Sequence, residues 1–200
     1  MKNTLLNRLT KTTFVFFLMF LSFQGWGQAT LPTSWDWTGT APTGWSQSGL
    51  GTYTSSPYYH SASVSGKMDG TGDNVVIFFN STPGTLTYWL YRNGTQTTYE
   101  FTIQESIDGV NYTTLNSHTN TSNALPKTTW ISFSITPLST SRYIRFFYTN
   151  RTVNIAIDDV SISAAASTYT VTYDGNGSTG GSAPTDGNSP YASGATVTVL

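Results

Sequence analysis

Residues 143–163 read YIRFFYTNRTVNIAIDDVSIS, two apolar strands of which the second carries paired aspartates. Side chains alternate between the faces of a strand. Val153, Ile155 and Ile157 share one parity and Val160 and Ile162 the other, so a continuous inward face requires a one-residue bulge near Asp158 and Asp159. A bulge re-aims side chains. Two carboxylates placed there either accept backbone donors or hold a hard cation such as calcium through oxygen ligands, and the residues alone leave both open.

Working outward, the same short alternation recurs at Val75 to Phe79, Thr85 to Tyr91, Tyr99 to Glu105, Tyr112 to Leu115 and Trp130 to Ile135. No helical period of useful length appears, and turn signals fall at the intervals of a β-sandwich. Residues 31–65, with Pro32, Pro42 and Pro57 and tryptophans at 35, 37 and 45, read as a first strand plus loops. Asn93-Gly94 is a strong two-residue turn signal, and it predicts a hairpin. The pairs would be Leu90 with Thr97, Tyr88 with Tyr99 and Leu86 with Phe101. The opposite face would then pair Tyr91 with Gln96, Trp89 with Thr98 and Thr87 with Glu100.

The chain opens with Lys2, Arg8 and Lys11, continues with the apolar run Phe14 to Phe23 and passes small residues at Gly25, Gly27 and Ala29. That is the pattern of a secretory signal over residues 1–27, and the run is too short to span a bilayer. Of the nine Lys and Arg, three leave with the signal, so six basic groups face ten acidic ones. Nucleic acid is not an expected partner, because phosphate binding needs a basic footprint. There are no cysteines, which removes disulfides, thiolate nucleophiles and Cys-ligated metals, and leaves stability to the core.

The composition changes at Ala164-Ala165-Ala166-Ser167, a small-residue linker. Beyond it, Thr168 to Tyr173 and Ala195 to Leu200 read as two alternating strands around a Gly-, Ser- and Pro-rich loop. Two short strands cannot bury a core alone, so the chain reads as cut inside a second domain. Residues 44–163 resemble the jelly-roll modules of secreted Bacteroidetes proteins, which are similar to MAM-like, galactose-binding-like and carbohydrate-binding domains. The most specific pieces are SIDGVNYTTL at 106–115, with Tyr112 where such modules more often have Trp, and IDDVSI at 157–162. Residues 168–200 resemble the first half of a Listeria-Bacteroides repeat, the β-grasp-like repeat of internalin-type surface proteins, through YTVTYDGNG and YASGATVTVL. The expected architecture is therefore all-β: an antiparallel jelly-roll β-sandwich over 28–163, a linker over 164–167 and an incomplete small repeat over 168–200. The resemblances imply a secreted or cell-surface protein with several domains, and they imply no reaction.

Jelly rolls of this kind often carry a structural calcium held by an Asp near the final strand and by groups from an early loop. The resemblance places Asp158 in the first role, and the loop from Asp69 to Asn74 offers Asp69 and Asp73 for the second; the alternative is an ordinary glycine-rich turn. Trp89 and Tyr91, with Gln96, Glu100 and Gln104 on the same predicted face, form a candidate sugar platform. The alternative is that both rings lie packed beneath the loops of residues 31–65; Tyr58, Tyr59 and His60, in a loop, are instead candidates for the rim of the site. Catalysis finds little material. Glu100 and Glu105 point to opposite faces of one strand, His60 and His118 lie in no metal-ligand spacing, and no nucleophile elbow or phosphate loop occurs. Two readings remain: a non-catalytic module binding carbohydrate or another surface polymer, and a spacer that displays other domains, an enzyme beyond residue 200 being one candidate.

Overall fold

The computed structural model describes residues 27–96 and 98–198, so the expected signal, apart from Gly27, and the predicted pairing partner Thr97 lie outside the described residues. Strands β1 (Thr33–Trp35), β3 (Gly51–Tyr53), β4 (Ser65–Met68), β6 (Pro83–Asn93), β9 (Ile131–Ile135) and β11 (Asn154–Ala164) form one sheet, in the order β3-β4-β11-β6-β9 with β1 also on β11. The second sheet runs β2-β5-β10-β7-β8, from β2 (Trp45–Ser48), β5 (Asn74–Phe78), β10 (Tyr143–Asn150), β7 (Glu100–Ser106) and β8 (Thr113–Thr119). All pairings within both sheets are antiparallel. Among the described residues no helix is long and apolar enough to cross a membrane.

The core follows from the alternation. Leu86, Tyr88 and Leu90 of β6 and Ile155, Ile157, Val160 and Ile162 of β11 face Val75, Ile77, Phe101, Ile103, Ile144 and Phe146 of the other sheet, all fully buried. The ring of Tyr88 meets Phe146 edge-on at 5.2 Å. Its hydroxyl, buried with it, is satisfied across the sandwich by His118 Nε2 and Asn116 Nδ2, each at 3.1 Å. A carbonyl can only accept, so the 2.9 Å contact between His118 Nδ1 and Asn123 O places the ring proton on Nδ1 and leaves Nε2 to accept from Tyr88. Burial lowers the pKa of His118, and its proton on the second nitrogen has no place in this network.

The bulge expected at the aspartates is present. Asp158 stands opposite Trp89 and Ser161 opposite Thr87, so β11 uses three steps where β6 uses two, and Asp159 takes a positive φ of 46°. The inward set thereby passes from Ile155 and Ile157 to Val160 and Ile162. The far edge of β11 changes partner at the same place, from β4 along 155–157 to β1 along 160–162.

The predicted hairpin is not formed. β6 pairs with β11 and β9, β7 with β10 and β8, and the chain crosses from one sheet to the other after Asn93. Both edges of both strands are occupied, so Asn93-Gly94 turns without closing a two-strand ladder. The apolar residues that were to lie side by side instead confront each other across the core, the other arrangement that satisfies the same parity. Residues 31–65, read as one strand and loops, supply β1, β2 and β3, and the missed strand β4 starts at Ser65. β4 contains Gly66, a weak strand former. Its place is required by Trp37, whose indole would lie 2.6 Å from any Cβ there. Trp37 stacks on Trp35 at 4.7 Å, and Trp35 meets Trp45 edge-on at 6.0 Å. In the tail, β12 (Thr168–Tyr169) pairs with β13 (Tyr191–Ala192), a shorter ladder than the sequence predicts, and residues 195–198 form no strand.

Candidate functional site

With Leu86, Tyr88 and Leu90 turned inward, alternation turns Thr87, Trp89 and Tyr91 to the outer face of the six-stranded sheet. The segment 54–64 crosses this face and is fastened at the bulge. Asp158, fully buried, accepts the backbone N–H of His60 at 2.8 Å on Oδ2 and that of Asp159 at 2.9 Å on Oδ1. Asp159 bonds His60 Nδ1 at 2.6 Å through Oδ2, and its Oδ1 accepts the hydroxyl of Ser61. The carboxylates therefore act as acceptors that hold the loop. Burial raises the pKa of Asp158, while the N–H donors of His60 and Asp159 pull it back.

Fastening the loop lays its rings on the sheet. His60 stacks on Trp89 at 3.8 Å with an interplanar angle of 19°, and Tyr58 lies between Tyr53 at 4.7 Å and Tyr91 at 5.6 Å. Trp130 donates its indole N–H to the carbonyl of Pro57 at 2.9 Å. Tyr91 is only 3 % exposed, so it is packing rather than platform. Trp89 is half-buried and keeps access on its other side.

There the sheet face opens into a groove of about 610 Å³ between the 34–42 segment and the bulge of β11. Trp89 and Pro42 supply apolar wall. Hydroxyls of Ser34, Thr38, Thr40, Thr87 and Ser161 and the carboxylates of Asp36 and Asp159 supply polar groups. Thr87 and Ser161 bond each other at 2.7 Å across the bulge. Asp36 accepts from the hydroxyl and the N–H of Thr38, which hold its pKa below the ordinary value. The groove offers a ring edge, convergent hydroxyls and acceptor-only oxygens, the groups that bind polyhydroxylated ligands.

The five predicted platform residues do not share a face. Trp89 and Tyr91 lie on the six-stranded sheet, Gln96 is exposed in the crossing segment, and Glu100 and Gln104 lie on the outside of the five-stranded sheet. The failed hairpin is the reason. Beside Gln104 stands β10, and Arg145 donates to Gln104 Oε1 at 2.7 Å while its guanidinium lies over Tyr112 at 3.8 Å and Phe147 at 4.8 Å. Asp36, Ser34 and Ser161 escaped the sequence reading. Asp36-Trp37-Thr38 signals a local turn, but nothing in the sequence brings that turn to Trp89.

The carboxylates proposed for calcium do not converge. Asp73 Oδ2 accepts the N–H groups of Asp69 and Gly70, both at 2.8 Å, and Asp69 pairs with Lys67 at 2.6 Å. Both oxygens of Asp158 hold backbone donors. No group of three or more His, Asp or Glu that could hold a metal occurs among the described residues. This donor set does not fit a calcium shell, and we derive no role for the ion.

No family model matches the sequence, and no curated protein matches it. The fold does have solved neighbours. The K3 cleaved adhesin domain of Lys-gingipain from Porphyromonas gingivalis superposes with a TM-score of 0.53 at 16 % identity, covering 66 % of this chain and 98 % of that one. A xylan-binding domain of carbohydrate-binding module family 22 gives 0.51 at 14 % identity, over 68 % and 96 % of the two chains. The family 22 xylan-binding domain from Paenibacillus barcinonensis gives 0.50 at 12 %, over 70 % and 99 %. At these identities the likeness is one of fold: the sandwich is the jelly roll of adhesin and carbohydrate-binding modules.

Proposed function

We propose that this chain is a non-catalytic, secreted or surface-exposed module that holds a polysaccharide in the groove beside Trp89. The observation that carries this reading is the groove's make-up, one accessible indole flanked by five hydroxyls and two carboxylates at a volume suited to a few sugar units. A ring stacks on the C–H face of a pyranose, and the second oxygen of Asp36, beside the one that holds Thr38, accepts a sugar hydroxyl. The neighbours named as xylan-binding domains support the same class of ligand. The carboxylates of the described groove are engaged in holding Ser61, His60 and Thr38, which suits recognition rather than bond breaking. Glu100 and Glu105, the other carboxylates weighed for catalysis, are separated by about 16 Å of strand β7.

Affinity electrophoresis through gels containing xylan, mixed-linkage glucan or mucin tests the reading. Retardation of the wild-type chain by at least one polymer is expected, and Trp89→Ala should weaken it at least tenfold while thermal unfolding stays cooperative. Equal migration of the wild type with and without each polymer would overturn it and leave the spacer role, for which the loop cover over Tyr91 and one face of Trp89 is the supporting observation.

A further inference from the structure

The end of the sandwich formed by the β7–β8 turn and the segment before β10 holds a second cavity, of about 260 Å³. Its rim is apolar and unusually bare. Ile107 is 64 % exposed, Leu138 62 % and the neighbouring Val110 78 %, three of the five large hydrophobics exposed among the described residues. Ile107 and Leu138 line the cavity directly. Its floor is Glu105, only 5 % exposed. Oε2 of Glu105 accepts the N–H of Leu138 at 2.8 Å and the hydroxyl of Ser141 at 2.5 Å, so this oxygen is spent. Oε1 accepts no hydrogen bond among the described residues. No cationic side chain there pairs with Glu105 either: the adjacent Arg142 gives its Nη1 to the carbonyls of Ser139 and Ser141.

Among the described residues Arg92 Nε is the only buried side-chain polar atom without a hydrogen-bond partner, so Oε1 of Glu105 is open to the cavity. Across the rim, Asp108 adds a second fixed negative charge. It accepts the N–H groups of Val110 and Asn111, the amide of Asn111 and the hydroxyl of Ser106, which together hold its pKa well below the carboxylate range. That makes a site with aliphatic walls, one free acidic oxygen at the bottom and an acidic lip.

We propose that this end cavity docks a lysine side chain presented by a protein partner. The stem of lysine is a run of methylenes matched to Ile107 and Leu138, and its ammonium is a point charge that a single oxygen can meet. Arginine fits less well, because its fork binds carboxylates through both oxygens and Oε2 is already taken. A lysine also supplies the positive charge that the acidic lip attracts from solution. The site stands at the end of the sandwich, away from the Trp89 groove in residues and in lining, and it does not depend on glycan binding.

The test is an NMR titration of the isotope-labelled chain with three probes, Nα-acetyl-lysine amide, Nα-acetyl-norleucine amide, which keeps the stem without the charge, and ethylammonium, which keeps the charge without the stem, and with Nα-acetyl-arginine amide as a competing cation. The lysine probe should shift the amides of Asp108 to Asn111, Leu138 and Ser141 and bind at least tenfold more tightly than either part-probe. Glu105→Gln retains an oxygen for Leu138 and Ser141 and should erase the preference for lysine over norleucine. If that variant fails to fold, Ile107→Ser combined with Leu138→Ser should remove the preference for lysine over ethylammonium. Shifts of equal size for all three probes, or none at those amides, overturn the proposal; a preference for acetyl-arginine amide over the lysine probe overturns the assignment to lysine.

Discussion

The outer faces of the two sheets carry similar material and treat it differently. On the five-stranded sheet, Phe78 stacks on Tyr143 of the adjacent strand at 4.4 Å, and Arg145 lies over Phe147 of its own strand and over Tyr112 just before β8, so these groups are stabilised by the sheet's own residues. On the six-stranded sheet, Trp89 and Tyr91 are held from above by a loop that reaches them through a bulge made by Asp158 and Asp159. The first face is finished once the sheet forms. The second is finished only when a distant segment is tied down, and that tie leaves a groove at its margin. Rings on a strand therefore do not locate a site; what covers them, and what holds the cover, does.

The strongest way to break this comparison is to cut the tie on one face and the bridge on the other. Asp158→Ala leaves the N–H groups of His60 and Asp159 without their acceptor, and about 3 kcal/mol of stability should be lost in urea unfolding. Arg145→Ala removes one hydrogen bond and two cation–ring contacts at a half-exposed position, and should cost no more than about 1 kcal/mol. Equal losses would mean that the loop rests on its rings alone.

A smaller effect probes whether the two sheets act as one body. His118 is neutral in the folded core and ordinary when unfolded, so the unfolded chain binds the extra proton first. Its contribution is fully present above the unfolded value of 6.5 and is lost as pH falls below it toward the depressed folded value. The melting temperature should drop by a few degrees between pH 7.5 and 5.5, and His118→Gln should flatten that drop. Asp158, raised by burial, acts with the opposite sign. A wild-type melting curve that ignores pH from 7.5 to 5.5 would show that the Tyr88–His118 link between the sheets opens without cost. The smallest expected effect is that of chelation. Because both oxygens of Asp158 hold backbone N–H groups and one oxygen each of Asp73 and Asp69 is held by N–H groups and by Lys67, excess chelator should leave the melting temperature unchanged within a degree; a fall of several degrees would mean that these carboxylates rearrange around a cation.

Much of this was legible in the chain. The strands from 75 to 163 appear within a residue or two of their predicted limits, except that β8 runs on to Thr119, because alternation of apolar side chains is a local property that burial then obeys. The bulge at Asp158 and Asp159 was legible for the same reason, since a change of parity within one buried strand has few other solutions. The partners of each strand were not. Asn93-Gly94 argues for a hairpin through local geometry, and the competing pairings of β6 with β11 and β9 involve residues some forty to seventy positions away that leave no mark near the turn.

The candidate site divides along the same line. Trp89 and Asp159 were named from residue chemistry, whereas Asp36, Ser34 and Ser161 became neighbours of Trp89 only when β1 paired with β11. Residue order and chemistry alone determined an all-strand chain without cysteine, with an inward face that must be corrected by a bulge at the paired aspartates. Only the tertiary structure decided which sheet each strand joined, which rings were covered and where a groove remained. Alternation tells a side chain which way to face, but not what it will find there; long-range pairing, chosen by the fit of the whole core, supplies the neighbour.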